Sequence, residues 1–439
     1  MKHKKILVVL VVMGFTSVLL MGCKNDSVPA TLPNTLTIIF DSKGGSEVAR
    51  QTIEVGNRVT KPTKPTKEGA IFDGWYNATE EYDFSSPVVK NMILYAKWIY
   101  NKEVSPQNVE GIFEGVVKGE TVALKATGEW TAENISSLIS ALKSSGVRIR
   151  LDLSASGLKE IPSGMLNGCS NLESIVLPAS LETIGSSAFS GCSSLVGIDL
   201  SGTALTTIEA SAFSGCSSLE SIVLPASLTS IGSSAFSGCS SLVRINLSST
   251  ALTSIGDSTF SGCSSLVRID LSSTALATIG ASAFYGCSSL VSIDLPSSKL
   301  TSIGASAFYG CSSLASIDLS STALASIGAS AFYGCSSLAS IDLSSSQFTS
   351  TGTSAFSGCS SLASIDLPAS LKTIELRAFL SCNSLVTVTV RATNPPSIGS
   401  AAFLGCTSLA QILVPSNCVE TYKAASDWSD YREIIQAIQ

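Results

Sequence analysis

Eleven cysteines recur at a fixed interval along more than half of this chain. They stand at positions 169, 192, 216, 239, 263, 287, 311, 335, 359, 382 and 406, always 23 or 24 residues apart. Self-similarity at a period of roughly 20 to 50 residues is the mark of a stack of equal coils. One full unit runs Cys287-Ser288-Ser289-Leu290-Val291-Ser292-Ile293-Asp294-Leu295-Pro296, then Leu300, Ile303-Gly304 and Ala307-Phe308. Leu290, Ile293 and Leu295 include a period-two pair, which predicts a short strand with one buried face. Gly304 is read as the residue that lets the chain turn, and Ala307-Phe308 as a short helical or 3-10 return that plugs the back of the coil. A single coil cannot bury these side chains. Stacked neighbours can, so stability is a near-neighbour sum.

Two unit lengths occur. The shorter carries Leu-Pro-Ala-Ser-Leu, as at Leu224 to Leu228, and the longer Leu-Ser-Ser-Thr-Ala-Leu, as at Leu271 to Leu276. A further strand, Val147 to Leu153, precedes the first cysteine; its Leu151-Asp152-Leu153-Ser154 fits the pattern, with Arg148 in place of the first leucine. Twelve strands at the usual interstrand spacing make a ribbon of roughly 55 Å. Thr131-Ala132-Glu133 opens an amphipathic helix to about Lys143, with Thr131 as its N-cap. Residues 101–150 are therefore expected to cap the N-terminal end of the core, 151–415 to form the solenoid, and 416–439 to cap its other end, with Trp428 and Tyr431 over the last coil.

The pattern Cys-x-x-Leu-x-x-Ile-x-Leu-Pro, then Leu-x-x-Ile-Gly-x-x-Ala-Phe, resembles the BspA-like, or Treponema-pallidum-type, leucine-rich repeat over about residues 160–415. Val414-Pro415, Tyr422-Lys423-Ala424-Ala425 and Trp428 also look like that family's usual ending. The resemblance implies a leucine-rich-repeat solenoid of short parallel β-strands. It also implies cell-surface proteins of oral and gut anaerobes and spirochaetes, which bind host matrix proteins, host cells or other bacteria.

Residues 35–100 read as a small β module. Thr35 to Phe40 is β-prone and meets the turn signal Gly44-Gly45; Gln51 to Val55, Ile71 to Tyr76 and Ile93 to Trp98 are further strands. Phe40-Asp41, Gly44-Gly45, Gly56, Pro62, Gly69, Phe72-Asp73-Gly74-Trp75-Tyr76, Phe84 and Tyr95-Ala96-Lys97-Trp98 resemble the Listeria/Bacteroides surface repeat of the internalin B-repeat type, with Ala70 departing from the usual aromatic. The resemblance implies a compact β-grasp-like domain that serves as a spacer or weak interaction module. Trp75 and Trp98 are expected in its core, because a unit of this size needs its large side chains inside.

The start of the chain carries an address. Lys2, Lys4 and Lys5 precede an uncharged apolar run, Ile6 to Leu20, of signal-peptide length. Its end, Leu20-Met21-Gly22-Cys23, resembles a bacterial lipobox, with Met21 departing from the commonest residue. That resemblance implies that residues 1–22 are removed and that Cys23 is lipid-modified, with 23–34 as a polar tether containing Pro29 and Pro33. Several acyl chains on one residue, at about 0.8 kcal/mol per buried methylene, anchor firmly. The expected location is the bacterial cell envelope, on the surface of the outer membrane.

Composition removes most chemistry. The one histidine is His3, inside the removed segment. That excludes Ser-His-Asp and Cys-His nucleophiles and histidine-held zinc or iron. Carboxylate-pair and Ser-Lys hydrolases survive the test without positive support, so no enzyme, cofactor or metal is expected. A formal net charge of -6, with no dense Lys/Arg stretch after the first five residues, leaves no nucleic-acid footprint.

What remains is the array's surface. The cysteine column does not converge on a point, as zinc requires, and in-register disulfides would be strained. Eleven thiols also cannot all pair, so the column reads as buried packing, leaving Cys418 outside it. The residue between Ile and Leu of each strand points outward: Asp152, Asp199, Asn246, Asp270, Asp294, Asp318, Asp342 and Asp366, interrupted by Val176 and Val223. Asp270, Asp294, Asp318, Asp342 and Asp366 form an unbroken acidic stripe, with neighbours repelling by about 1 kcal/mol in water. Either a basic partner or bound cations relieve that repulsion, or the stripe is a solvated face propagated by duplication. Arg244 and Arg268 flank its start, and Tyr285, Tyr309 and Tyr333 replace serine on the return side. The expected function is a lipid-anchored, adhesin-like protein that binds a host or bacterial surface protein through the repeat face. The rival is an envelope-organising lipoprotein without a host ligand.

Overall fold

The computed structural model describes residues 35–296, 299–320, 322 and 324–439. Cys23 and the export signal lie outside them. Two compact units emerge, one holding Asp41 and the residues before it, Glu47–Thr63 and Trp75–Tyr95, the other Ser42–Ser46, Lys64–Gly74 and Ala96–Gln439.

In the first unit, strand Thr35–Asp41 lies between an antiparallel partner, Gln51–Glu54, and a parallel one, the start of strand Met92–Val104. Ile38, Phe40 and Leu94 alternate inward, and Phe40 meets Trp75 edge-on at 4.9 Å. In the second unit Trp98 is equally buried. Its indole nitrogen donates to the Ser42 carbonyl at 2.9 Å, and Phe72 packs edge-on at 5.6 Å. Gly45 lies against the Trp98 ring so closely that no side chain fits there. Both tryptophans are core residues, as their module demands.

The rest of the second unit is a parallel β-solenoid. The main ladder runs from Arg148–Asp152 to Gln411–Val414, with the isoleucine buried in every strand that carries one. Two strands flank the expected twelve: Thr121–Ala126 pairs with Arg148–Asp152, and Ile435–Ala437 pairs with Gln411–Val414. Before the first coil, helix Ala132–Ser144 is closed by a capping box between Thr131 and Asn134. It buries Ile135, Leu138, Ile139 and Leu142. At the far end, Trp428 is buried and donates to the Pro396 carbonyl, while Tyr431 meets Phe403 edge-on at 5.5 Å.

Inside, the phenylalanines from Phe189 to Phe403 stack one per coil, 5.0–5.5 Å apart and nearly parallel. The cysteines do more than fill space. Each thiol from Cys216 to Cys406 donates to the phenylalanine carbonyl of the preceding coil at 3.1–3.2 Å. Burial raises the pKa of the thiols from Cys169 to Cys359, to about 11 at Cys169 and about 12 at Cys311 and Cys359. They are therefore poor nucleophiles.

The return differs in detail from the sequence expectation. Among the described residues between 153 and 415 it is a series of turns rather than a helix, joined by two-residue strands such as Ser302–Ile303. Those short strands form a second ladder, broken between Ser230–Ile231 and Ser254–Ile255 and again between Ser326–Ile327 and Thr373–Ile374. Gly304 is not the turning residue. A Cβ there would lie 2.6 Å from the Ala281 backbone nitrogen of the coil before, so glycine serves close coil-to-coil contact. The chain turns instead at Ser306 and Gly310, both with positive φ.

Candidate functional site

The outward face of the main sheet is laid out in columns. Arg244, Arg268 and Ser292 are in-register neighbours, as are Asn246, Asp270 and Asp294. Four of the five stripe aspartates, all but Asp318, stand in register pairs: Asp270 with Asp294, and Asp342 with Asp366.

The stripe splits into two kinds of carboxylate, and the residue two positions on decides which. Where that residue is serine, the side chain turns back and holds it. Asp270 accepts from Ser272 N and Oγ at 3.0 and 2.7 Å, and Asp318 from Ser320 N and Oγ at the same distances. Asp342 accepts from Ser344 N at 2.9 Å. Asn246 makes the same pair of bonds to Ser248, so the job needs an acceptor and not a charge. The Ser320 bonds hold the Asp318 carboxyl below its ordinary pKa.

Where the residue two on is proline, no N–H exists to be held. Val176 precedes Pro178 and Val223 precedes Pro225. Asp294 and Asp366 are the exceptions, preceding Pro296 and Pro368, and each is taken by an arginine. Arg268 donates from Nε and Nη2 to Asp294 at 2.9 and 2.6 Å. Arg391 does so to Asp366 at 2.8 and 2.7 Å. The like-charge repulsion expected along the stripe is thus broken by arginines at two of its five members.

Arg244 is different. Its counterpart to Asp294 is Asp270, which is engaged by Ser272. Among the described residues Arg244 makes no ion pair, and its side chain is exposed. Farther toward the N-terminus Arg148 and Arg150 both contact Glu173 at 3.2 Å. Two depressions adjoin them. One, of about 350 Å³, is lined by Asn101, Ala123, Lys125, Arg150, Asp152 and Val176. The other, of about 530 Å³, is lined by Arg148, Arg150, Glu173, Ser194, Val196 and Ser218.

Exposed valines also lie here, of which the strand register read from the sequence places only Val176 and Val223 on the outward face. Val176, Val196, Val223, Val243, Val267 and Val291 are 38–53% exposed on this face. At the residue after the first leucine of each unit the sequence has Val or Glu up to Val291, then Ala315, Ala339 and Ala363, then Val386 and Ala410. The tyrosines stand apart on the return side. Tyr285, Tyr309 and Tyr333 stack at 4.8 and 4.7 Å, so both faces of Tyr309 are occupied by its neighbours.

Geometry and repeat together define a leucine-rich-repeat solenoid. The BspA-type leucine-rich-repeat region matches in six copies across residues 159–276, 241–350 and 345–426, and the chain belongs to that family. Residues 37–97 match the Listeria-Bacteroides repeat domain. Internalin H of Listeria monocytogenes is 29% identical over 99 residues, covering 20% of this chain and 18% of its own. A protein of Evansella cellulosilytica named as a Gly-rich membrane protein is 47% identical over 73 residues, 16% of this chain and 8% of its own. The chain thus spans less than a fifth of the length of these curated relatives. Among solved structures, a leucine-rich-repeat protein from Bacteroides ovatus is 27% identical, covering 85% of this chain and 99% of that one with a TM-score of 0.48. The T. pallidum leucine-rich-repeat protein is also 27% identical, with 50% and 83% covered and a TM-score of 0.34.

Proposed function

We propose that this chain is a bacterial cell-surface binding protein, lipid-anchored through Cys23, whose repeat face engages a host or bacterial surface protein. One observation carries the reading: the outward face bears exposed valines and an unpaired arginine that the coil does not need for packing. Contiguous exposed apolar surface with polar rims is characteristic of interaction sites. Membership of a surface-protein repeat family and the membrane-protein name of a relative support the location. No helix among the described residues is long and apolar enough to cross a membrane, so attachment in this reading rests on the acylated Cys23.

Two measurements test it. Cys23→Ser should move the protein from the membrane to the soluble fraction; an unchanged distribution overturns the anchor. Protease added to intact cells should degrade the chain; complete protection would favour the envelope-organising rival.

A further inference from the structure

The proposed function leaves open which part of a ribbon of repeats meets a partner, and the sequence offered the acidic stripe, the arginine pair and the three tyrosines as candidates. The structure reassigns that stripe. Asp270, Asp318 and Asp342 hold the turns that follow their strands, and Asp294 and Asp366 are held by arginines. What the fold leaves unspent lies on the coils before Asp294.

Three observations coincide on the strands from Leu172–Val176 to Ser292–Asp294. Most of the exposed valines cluster there, with Val243, Val267 and Val291 following one another in successive coils and giving way to Ala315, Ala339 and Ala363 in the next three, before Val386. The unpaired guanidinium of Arg244 stands beside Val243 and is in register with Arg268 and Ser221. The larger depression of this face, walled by Arg148 and Arg150, opens beside the first of these strands. An arginine with a like-charged neighbour one strand away and no carboxylate of its own presents free donors in a fork that fits a carboxylate. Surrounding valines supply apolar contact and lower the competition from water.

Resting on the reading of the chain as a protein-binding array, the geometry points to a docking surface on these coils, centred on Arg244, for a protein segment that presents apolar side chains beside an Asp or Glu. The alanine-lined coils after Asp294 act as a spacer and take no direct part.

Phage-displayed random dodecapeptides selected against the full chain provide the probe. The expected outcome is enrichment of peptides pairing Leu, Ile or Phe with an acidic residue. Arg244→Glu should weaken the selected peptides at least tenfold. Replacing the peptide's acid by Lys should recover binding to that variant, which a merely unfolded protein could not do. Asp318→Asn with Asp342→Asn should leave binding within twofold. Enrichment of basic peptides that depend on Asp318 and Asp342, and not on Arg244, overturns this surface while keeping the binding reading. Failure of any peptide to bind the array above its bare N-terminal module counts against both.

Discussion

Coils before and after Asp294 have the same inside and different outsides. In both halves the core is Leu, Ile, Ala, Phe and Cys at fully buried positions. Outside, the first half changes from coil to coil, with Val196, Glu220, Val243 and Val267 at one position and Gly197, Ser221, Arg244 and Arg268 at the next. In the three coils after Asp294 those positions settle to alanine and serine, at Ala315-Ser316, Ala339-Ser340 and Ala363-Ser364, before Val386-Thr387 and Ala410-Gln411 close the array. Packing constrains every coil equally, because each contacts only its neighbours. The outside is free of that constraint, so the two halves can differ there without cost to packing.

The comparison breaks first if the interiors are unequal. Phe213→Ala in the first half and Phe308→Ala in the second should each cost about 3–5 kcal/mol, since both rings are fully buried between stacked neighbours. Urea unfolding monitored by circular dichroism reads this. A phenylalanine in either half whose loss costs under about 1 kcal/mol would show that its coils are not packed as described.

A smaller difference is expected between coils at the backbone. Gly304→Ala places a methyl 2.6 Å from the Ala281 nitrogen and should cost about 1–3 kcal/mol. Gly256 sits where the second ladder is broken, and there the nearest backbone nitrogen, of Ser233, is 3.2 Å away. Gly256→Ala should cost less than about 1 kcal/mol, since alanine also restricts the unfolded chain. Equal midpoint shifts for the two variants would remove the idea of slack at that boundary.

These glycines also show where the sequence was legible. The 23–24 residue period and the apolar positions follow directly from the need to fill every coil, and so both were readable. The Ile-Gly pair was read as a turn because glycine commonly marks turns, whereas here its missing side chain admits the neighbouring coil. The two-residue strands were invisible, because two residues carry no alternation. The division of the stripe was legible in hindsight, in Asp-Leu-Ser against Val-Leu-Pro and Asp-Leu-Pro. Val176 and Val223 were placed outward by their register with the aspartates, but Val196, Val243, Val267 and Val291 were not, because a valine beside a strand reads equally as core.

The stripe itself separates by pH and salt. Asp318→Ala removes two turn hydrogen bonds and should cost about 1 kcal/mol, while Asp318→Asn keeps the acceptor, as Asn246 does, and should be nearly neutral at pH 7. Because the folded pKa of Asp318 is depressed, its contribution is complete above the unfolded carboxylate value of about 4 and fades as pH falls through the folded value. Asp318→Asn should flatten the loss of stability over that acid range. Asp294→Asn should instead respond to salt, because its partner is the exposed Arg268. If the two variants respond alike to acid and to salt, the split of the stripe fails.

The smallest effect is a gain. In eight successive coils, from Ser187 to Ser354, a serine adopts left-handed backbone geometry, with φ of 54° at Ser306 and 57° at Ser211, where a Cβ is unfavourable. Glycine relieves roughly 1–2 kcal/mol of that strain but loses about 0.5–1 kcal/mol to its greater freedom when unfolded. Ser306→Gly and Ser211→Gly should therefore each stabilise by about 0.5–1 kcal/mol, and by similar amounts, since the backbone repeats while the outward faces differ. A loss at either site would mean that the serine hydroxyl contributes more there than the strain costs. Matching gains in both halves would locate the difference between them outside the coil, in the side chains that face solvent.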